Sequence, residues 1–314
     1  WRLSSPAQPI PCSGAKICTT CCNLAHQSLM ASNNPLPRQH HPTSQMPGMH
    51  TQGLLLPVAT LCWRELVRFY RQPSRVVGAL GTPVVFWLLI GSGIGTSLRD
   101  PGTPYPSGYL EYFFPGALLL IVLFTSIFCM MSTIEDRHEG FLQSVLVAPI
   151  PRSSLVLGKV LGGAVLAVAQ ALILLLFAPL VGIAMGPRPI LLVAAALFLI
   201  ALAVSCLGFA VAWELDSVQG FHAVVNLFLI PMWMLSGALF PSSGASSWVR
   251  WLMKANPLSY AMTILRRTLY WPAQAPGSEF ASLNVSLTVV ALFAVLTLAC
   301  AITLARRPIT RPPL

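Results

Sequence analysis

Between residues 160 and 183 the chain carries fourteen Leu, Ile, Val or Phe residues and no charged side chain. About 20 apolar residues in a helix match the hydrocarbon thickness of a bilayer. At roughly 0.3 to 0.6 kcal/mol each, these side chains favour insertion by about 4 to 8 kcal/mol in total, which the single Gln170 does not reverse. Comparable runs cover about 76–96, 114–134, 190–213, 220–240 and 283–304. None shows the ten-residue alternation of a membrane barrel strand, so the expectation is an all-α integral membrane protein with six transmembrane helices. Pro231 predicts a kink in the fifth span.

Only 9% of the residues are charged and 55% are hydrophobic, whereas a soluble domain carries roughly 25% charged residues. A net charge of +10 in a soluble protein would point to nucleic acid. Here the basic residues flank the apolar runs, where they anchor helix ends and meet anionic headgroups. The expected partners are therefore membrane lipids and no nucleic acid. Of the cysteines, Cys129, Cys206 and Cys300 lie inside apolar runs and read as small hydrophobes. The cluster Cys18-x-x-Cys21-Cys22 lacks the second pair that a four-ligand site needs, so no metal is expected.

Residues 1–52 are rich in Pro, Ser, Asn, Gln and His and read as disordered or mis-assigned sequence. They show no apolar core of a secretory signal, and Met46 or Met49 is an alternative start. Residues 53–314 hold the membrane domain. Its first segment, Leu54 to Arg71, sets Val58, Cys62, Leu66 and Phe69 on one helical face and Arg64, Arg68 and Arg71 on the other. Such a helix lies flat in the membrane interface. Between spans five and six, Trp248, Trp251, Tyr260, Tyr270 and Trp271 are spread as an interfacial aromatic belt would be. Short re-entrant helices are expected there, including one near Asn256, Pro257 and Tyr260; an exposed loop is the alternative. Placing both termini in the cytoplasm puts ten Lys or Arg residues on the inner side against six on the outer, as the positive-inside rule prefers.

The loop between spans two and three is the most informative segment. Phe141, Leu142, Val145 and Leu146 give a short helix with one apolar face, ended by Pro149 and Pro151. Gly158-Lys159 is not a phosphate-binding loop, because Val160 replaces the required Ser/Thr and Ser153 the upstream Gly. Within the spans, Gln170, His222 and Asn226 are pathway candidates or interhelical hydrogen-bond partners, and substrate-binding residues stay unassigned.

Glu135-x-Arg137-x-x-Gly140-Phe141-Leu142, then Leu146-Val147-Ala148-Pro149, Arg152 and Gly158-Lys159, resembles the cytoplasmic segment of ABC-2 type permeases, with the daunorubicin-resistance-like drug exporters the nearest branch. Asn256-Pro257-Leu258-Ser259-Tyr260 and Leu235-Ser236-Gly237-Ala238-Leu239-Phe240-Pro241 are similar to later segments of that family. The resemblance implies a prokaryotic cytoplasmic-membrane exporter subunit without an ATPase site of its own. Its partners would be a separate ABC ATPase subunit, which holds ATP and Mg, and a second permease copy. Glu135, Arg137, Gly140, Phe141, Leu142, Leu146 and Pro149 would form the coupling contact, with Phe141, Leu142 and Leu146 as its apolar anchors. Arg64, Arg68 and Arg71 would form the interfacial companion helix. The cargo would be lipophilic, drug-like, lipid or glycan. A channel or secondary transporter, expected to show internal repeats, and a membrane enzyme built on His138 with Glu135, Asp136 and Glu139 are the competing readings.

Overall fold

The computed structural model describes residues 55–94, 108–147, 151–183, 186–271 and 280–307, without the side chains of Leu146 and Ser243. The expectations for residues 1–52, for Pro149 and for the Leu146 side chain lie outside the described residues. The ordered elements are α1 (Leu55–Tyr70), α2 (Pro73–Ile94), α3 (Tyr109–Met130), α4 (Ser132–His138), α5 (Phe141–Val147) and α6 (Arg152–Leu175). They continue with α7 (Pro187–Glu214), α8 (Val218–Trp233), α9 (Ser247–Ala255), α10 (Pro257–Leu269) and α11 (Leu283–Arg306). Among the described residues six helices are long and apolar enough to cross a membrane, in the order expected, and no strand occurs. The chain is an integral membrane protein.

α3 is apolar on every side and almost wholly buried, as befits a helix at the centre of a bundle. α6, α7 and α2 pack around it. α2 and α11 turn apolar faces outward, among them Leu89, Val295 and Leu296; lipid, not water, is the solvent such faces suit. Ser217, Asn256 and Ser282 cap α8, α10 and α11, each accepting from a backbone N–H in the first turn.

Three features differ from expectation. The third span begins at Arg152 and ends at Leu175, not at 160 and 183, because Pro179 and the left-handed Gly182 turn the chain into a short 3-10 segment. The fifth span bends beyond Pro231, where a π-helical turn, Met234–Ala238, ends the α-helix and Gly237 adopts φ +85°, a conformation glycine reaches without steric cost. The amphipathic helix α1 is not simply laid on the membrane: it packs along α6 through Val58, Leu61, Glu65 and Phe69, a face rotated from the one expected.

Small residues allow that approach. A Cβ on Gly158 would lie 2.6 Å from Leu61 Cβ, and one on Gly162 would lie 2.9 Å from Glu65 Cβ. The four-residue spacing places both glycines on one face of α6, the arrangement that lets helices pack backbone to backbone.

Candidate functional site

Where α1, the α4–α5 elbow and the start of α6 meet, three ionisable side chains are buried together: Glu65, Asp136 and Lys159. Lys159 Nζ lies 2.8 Å from Glu65 Oε1 and 2.5 Å from Asp136 Oδ2, and donates to Ser132 Oγ at 2.9 Å. Ser132 in turn donates to Glu65 Oε2 at 2.8 Å. Asp136 also receives a two-pronged contact from Arg64, at 2.7 and 3.1 Å, and a bond from Arg68 at 2.5 Å. Arg68 reaches on to Glu135 at 2.9 Å and Glu139 at 3.4 Å, and Arg75 at the start of α2 pairs with Glu135. Paired, hydrogen-bonded carboxylates are the form in which buried charge is tolerated.

The electrostatics of α1 follow from these neighbours. Burial works against the charge on Arg68, but Asp136, Glu135 and Glu65 outweigh it and raise its pKa above the ordinary guanidinium value. Burial, reinforced by Glu65, pushes the Cys62 thiol up as well.

The elbow turns at Gly140, whose φ is +75°. Of the residues expected at the coupling contact, Glu135 is committed to Arg68 and Arg75. Arg137 lies with neither Glu135 nor Glu139. It closes the C-terminal end of α7, donating to Trp213 O at 2.7 Å, to Leu215 O at 3.4 Å and to Asp216 Oδ1 at 2.9 Å. The His138 ring meets Asp216 O at 2.8 Å, and Arg152 likewise gathers the last carbonyls of α11. Unpaired carbonyls at a helix end attract such cations.

Phe141 is half-buried, with the Arg64 guanidinium 3.6 Å from its ring centroid, and Leu142 is buried inside the chain. Among the described side chains of α5, Gln143, Ser144 and Val147 are the exposed ones. Arg64 and Arg68, expected to face headgroups, turn to Asp136, and Arg71 alone of that trio is exposed. Sequence reasoning missed Glu65, Arg75, Asp136 and Lys159 as a unit. Its signal was there: one acid in the apolar stripe of α1, and a lone lysine at the head of a span.

At the opposite end of α3 the frayed carbonyls of span five are taken up by side chains. Asn256 donates to Met232 O at 2.6 Å, Ser259 to Leu235 O at 3.2 Å, and Arg266 and Tyr112 both to Gly237 O, at 2.8 and 3.1 Å. Pro257 opens α10, and Tyr260 donates to Lys254 O at 3.0 Å. Within the spans, Thr125 donates to Gln170 at 2.5 Å, His222 lies against Phe128, and Asn226 is exposed. No group of three metal-ligating side chains stands together among the described residues.

A family model described as ABC-2 type transporter matches residues 57–270. The chain is 26% identical over 253 residues to the daunorubicin resistance ABC transporter permease protein DrrB1 of Streptomyces coeruleorubidus, covering 76% of this chain and 83% of that protein. It is 26% identical over 205 residues to ycf38 of Cyanophora paradoxa, which is named as a transport permease, covering 65% and 70%. A third relative, nodulation protein J of Sinorhizobium fredii, is 24% identical over 207 residues, covering 65% and 78%.

Proposed function

The chain belongs to the ABC-2 type transporter family, and from that premise we propose that it is the permease subunit of an exporter driven by a separate ATPase subunit. It carries a lipophilic, drug-like, lipid or glycan cargo out of a prokaryotic cytoplasm, pairs with a second permease copy and keeps both termini on the cytoplasmic side. ATP and Mg belong to the partner. The likeness to the daunorubicin resistance permease supports the choice of cargo class.

The observation that carries this reading is the buried ion cluster. Asp136 on the elbow is bound to α1 through Arg64 and Arg68 and to α6 through Lys159. A push delivered to α5 therefore moves the ends of spans two and three and the helix α1 as one piece. Charged contacts in a low-dielectric setting resist such shear better than apolar ones, because separating the partners leaves each ion unpaired. The acids beside His138 are held by guanidiniums, which suits a structural joint better than acid–base chemistry.

The face of α5 left open, Gln143, Ser144 and Val147, is the surface a motor subunit would grip. Val147 is 87% exposed, so Val147→Asp leaves the fold intact and is expected to abolish co-purification of the ATPase subunit. Undiminished co-purification and transport in that variant would remove α5 as the contact.

A further inference from the structure

α1 carries a feature that a coupling role does not use. Leu56, Trp63 and Tyr70 recur every seven residues and are 62%, 69% and 60% exposed, one continuous stripe on a helix that runs at Pro73 into the first span. An exposed aromatic stripe of this kind sits at the boundary of acyl chains and headgroups. On the edge of the helix next to that stripe, an open cleft is lined by Trp63, Arg64, Arg68, Arg71, Gln72 and Glu139.

The charges there do not cancel. The cluster and cleft together hold five cations (Arg64, Arg68, Arg71, Arg75 and Lys159) and four carboxylates (Glu65, Glu135, Asp136 and Glu139). Four of the cations are spent in the ion pairs. The surplus resides on Arg71, whose exposed guanidinium takes no ion-pair partner among the described residues. Beside it, Gln72 Oε1 is buried without a hydrogen-bond partner. The cleft thus presents one free cation, and beside it a half-buried glutamine whose inward-turned oxygen lacks a donor. We propose that it binds the headgroup of an anionic phospholipid whose head also donates hydrogen bonds, as glycerol does: the phosphodiester on Arg71 and a hydroxyl on the Gln72 amide, whose side chain turns outward to accept it.

Phosphatidylglycerol has that chemistry; phosphatidylcholine carries a phosphate but neither net charge nor donor. The full chain in micelles containing both lipids at equal concentration, examined by native mass spectrometry, is expected to retain phosphatidylglycerol preferentially. Arg71→Gln should lower its occupancy about fivefold, the worth of one basic residue at a membrane surface. Gln72→Leu should narrow the preference over phosphatidylcholine. Arg250→Gln, on α9, should change neither. Equal retention of both lipids, or occupancy unaltered in Arg71→Gln, overturns the proposal. So does displacement by soluble glycerol 3-phosphate, which would make the ligand a free phosphate ester, or by an added ATPase subunit, which would make the cleft a protein contact.

Discussion

Lys159→Met is the sharpest perturbation of the joint. Methionine matches the lysine stem in length, so the change removes the charge and little volume. Asp136 keeps Arg64 and Arg68, but Glu65, 2% exposed, is left with the Ser132 hydroxyl and a marginal 3.4 Å contact to Arg64. Removing one partner of a buried pair costs about 3 to 5 kcal/mol, a large part of the roughly 5 to 15 kcal/mol that holds a domain together. Replacing Glu65 as well, in Lys159→Met with Glu65→Leu, takes away the stranded carboxylate and should restore most of the loss, since a buried pair exchanged for apolar groups is often neutral. Reversible unfolding of the purified chain in mixed micelles, titrated with SDS, gives the free energies of the unmodified chain, of Lys159→Met, of Glu65→Leu and of the double variant, and hence the coupling between the two positions. A Lys159→Met cost below about 1 kcal/mol, the worth of a solvated surface pair, would refute the argument. A double variant as unstable as the single one would do the same.

Three further outcomes follow from local packing and burial. Gly158→Ala and Gly162→Ala each drive a Cβ against Leu61 or Glu65 and the α1 backbone, an overpacking cost of about 1 to 3 kcal/mol that exceeds the roughly 1 kcal/mol alanine gains in helix propensity, so each should destabilise the chain and speed protease cleavage within residues 55–70. At Gly163 the nearest atoms are the terminal methyl of the flexible Met130 side chain at 2.7 Å and Ser205 Oγ at 3.2 Å, with no backbone atom among them; Gly163→Ala should be near neutral in the same assays, because alanine regains about 1 kcal/mol of helix propensity. The Cys62 thiol, raised above its ordinary value by burial and Glu65, has little thiolate at neutral pH. In a variant keeping only Cys62, maleimide labelling should be slower folded than in SDS and should rise with pH well into the alkaline range; equal rates at pH 7 would contradict the placement of Cys62.

Much of the fold was legible because membrane insertion depends on long uniform runs, which survive errors of a few residues. Where a single backbone event decided the boundary, the reading slipped: Pro179 and Gly182 shorten the third span, and the left-handed Gly237 adds a bend to the fifth beyond Pro231. The amphipathic face of α1 was misassigned because periodicity places apolar residues together and treats an acid as an outward residue. Here Glu65 lies inward, in register with Leu61 and Phe69. Its burial follows from a lysine 94 positions later in the chain, and no local pattern reports a partner at that distance.

That separation in sequence bears on why the joint is ionic. An apolar contact between α1 and α6 could slide by a turn at modest cost, since one methylene seat resembles the next. Lys159 fits only where Glu65, Ser132 and Asp136 converge, and Gly158 and Gly162 bring the backbones close only in that register. The glycines set the distance and the ions select the position along it. A lever assembled this way would transmit displacement without slippage, as the drive by a separate subunit proposed above requires of the short segment between the second and third spans.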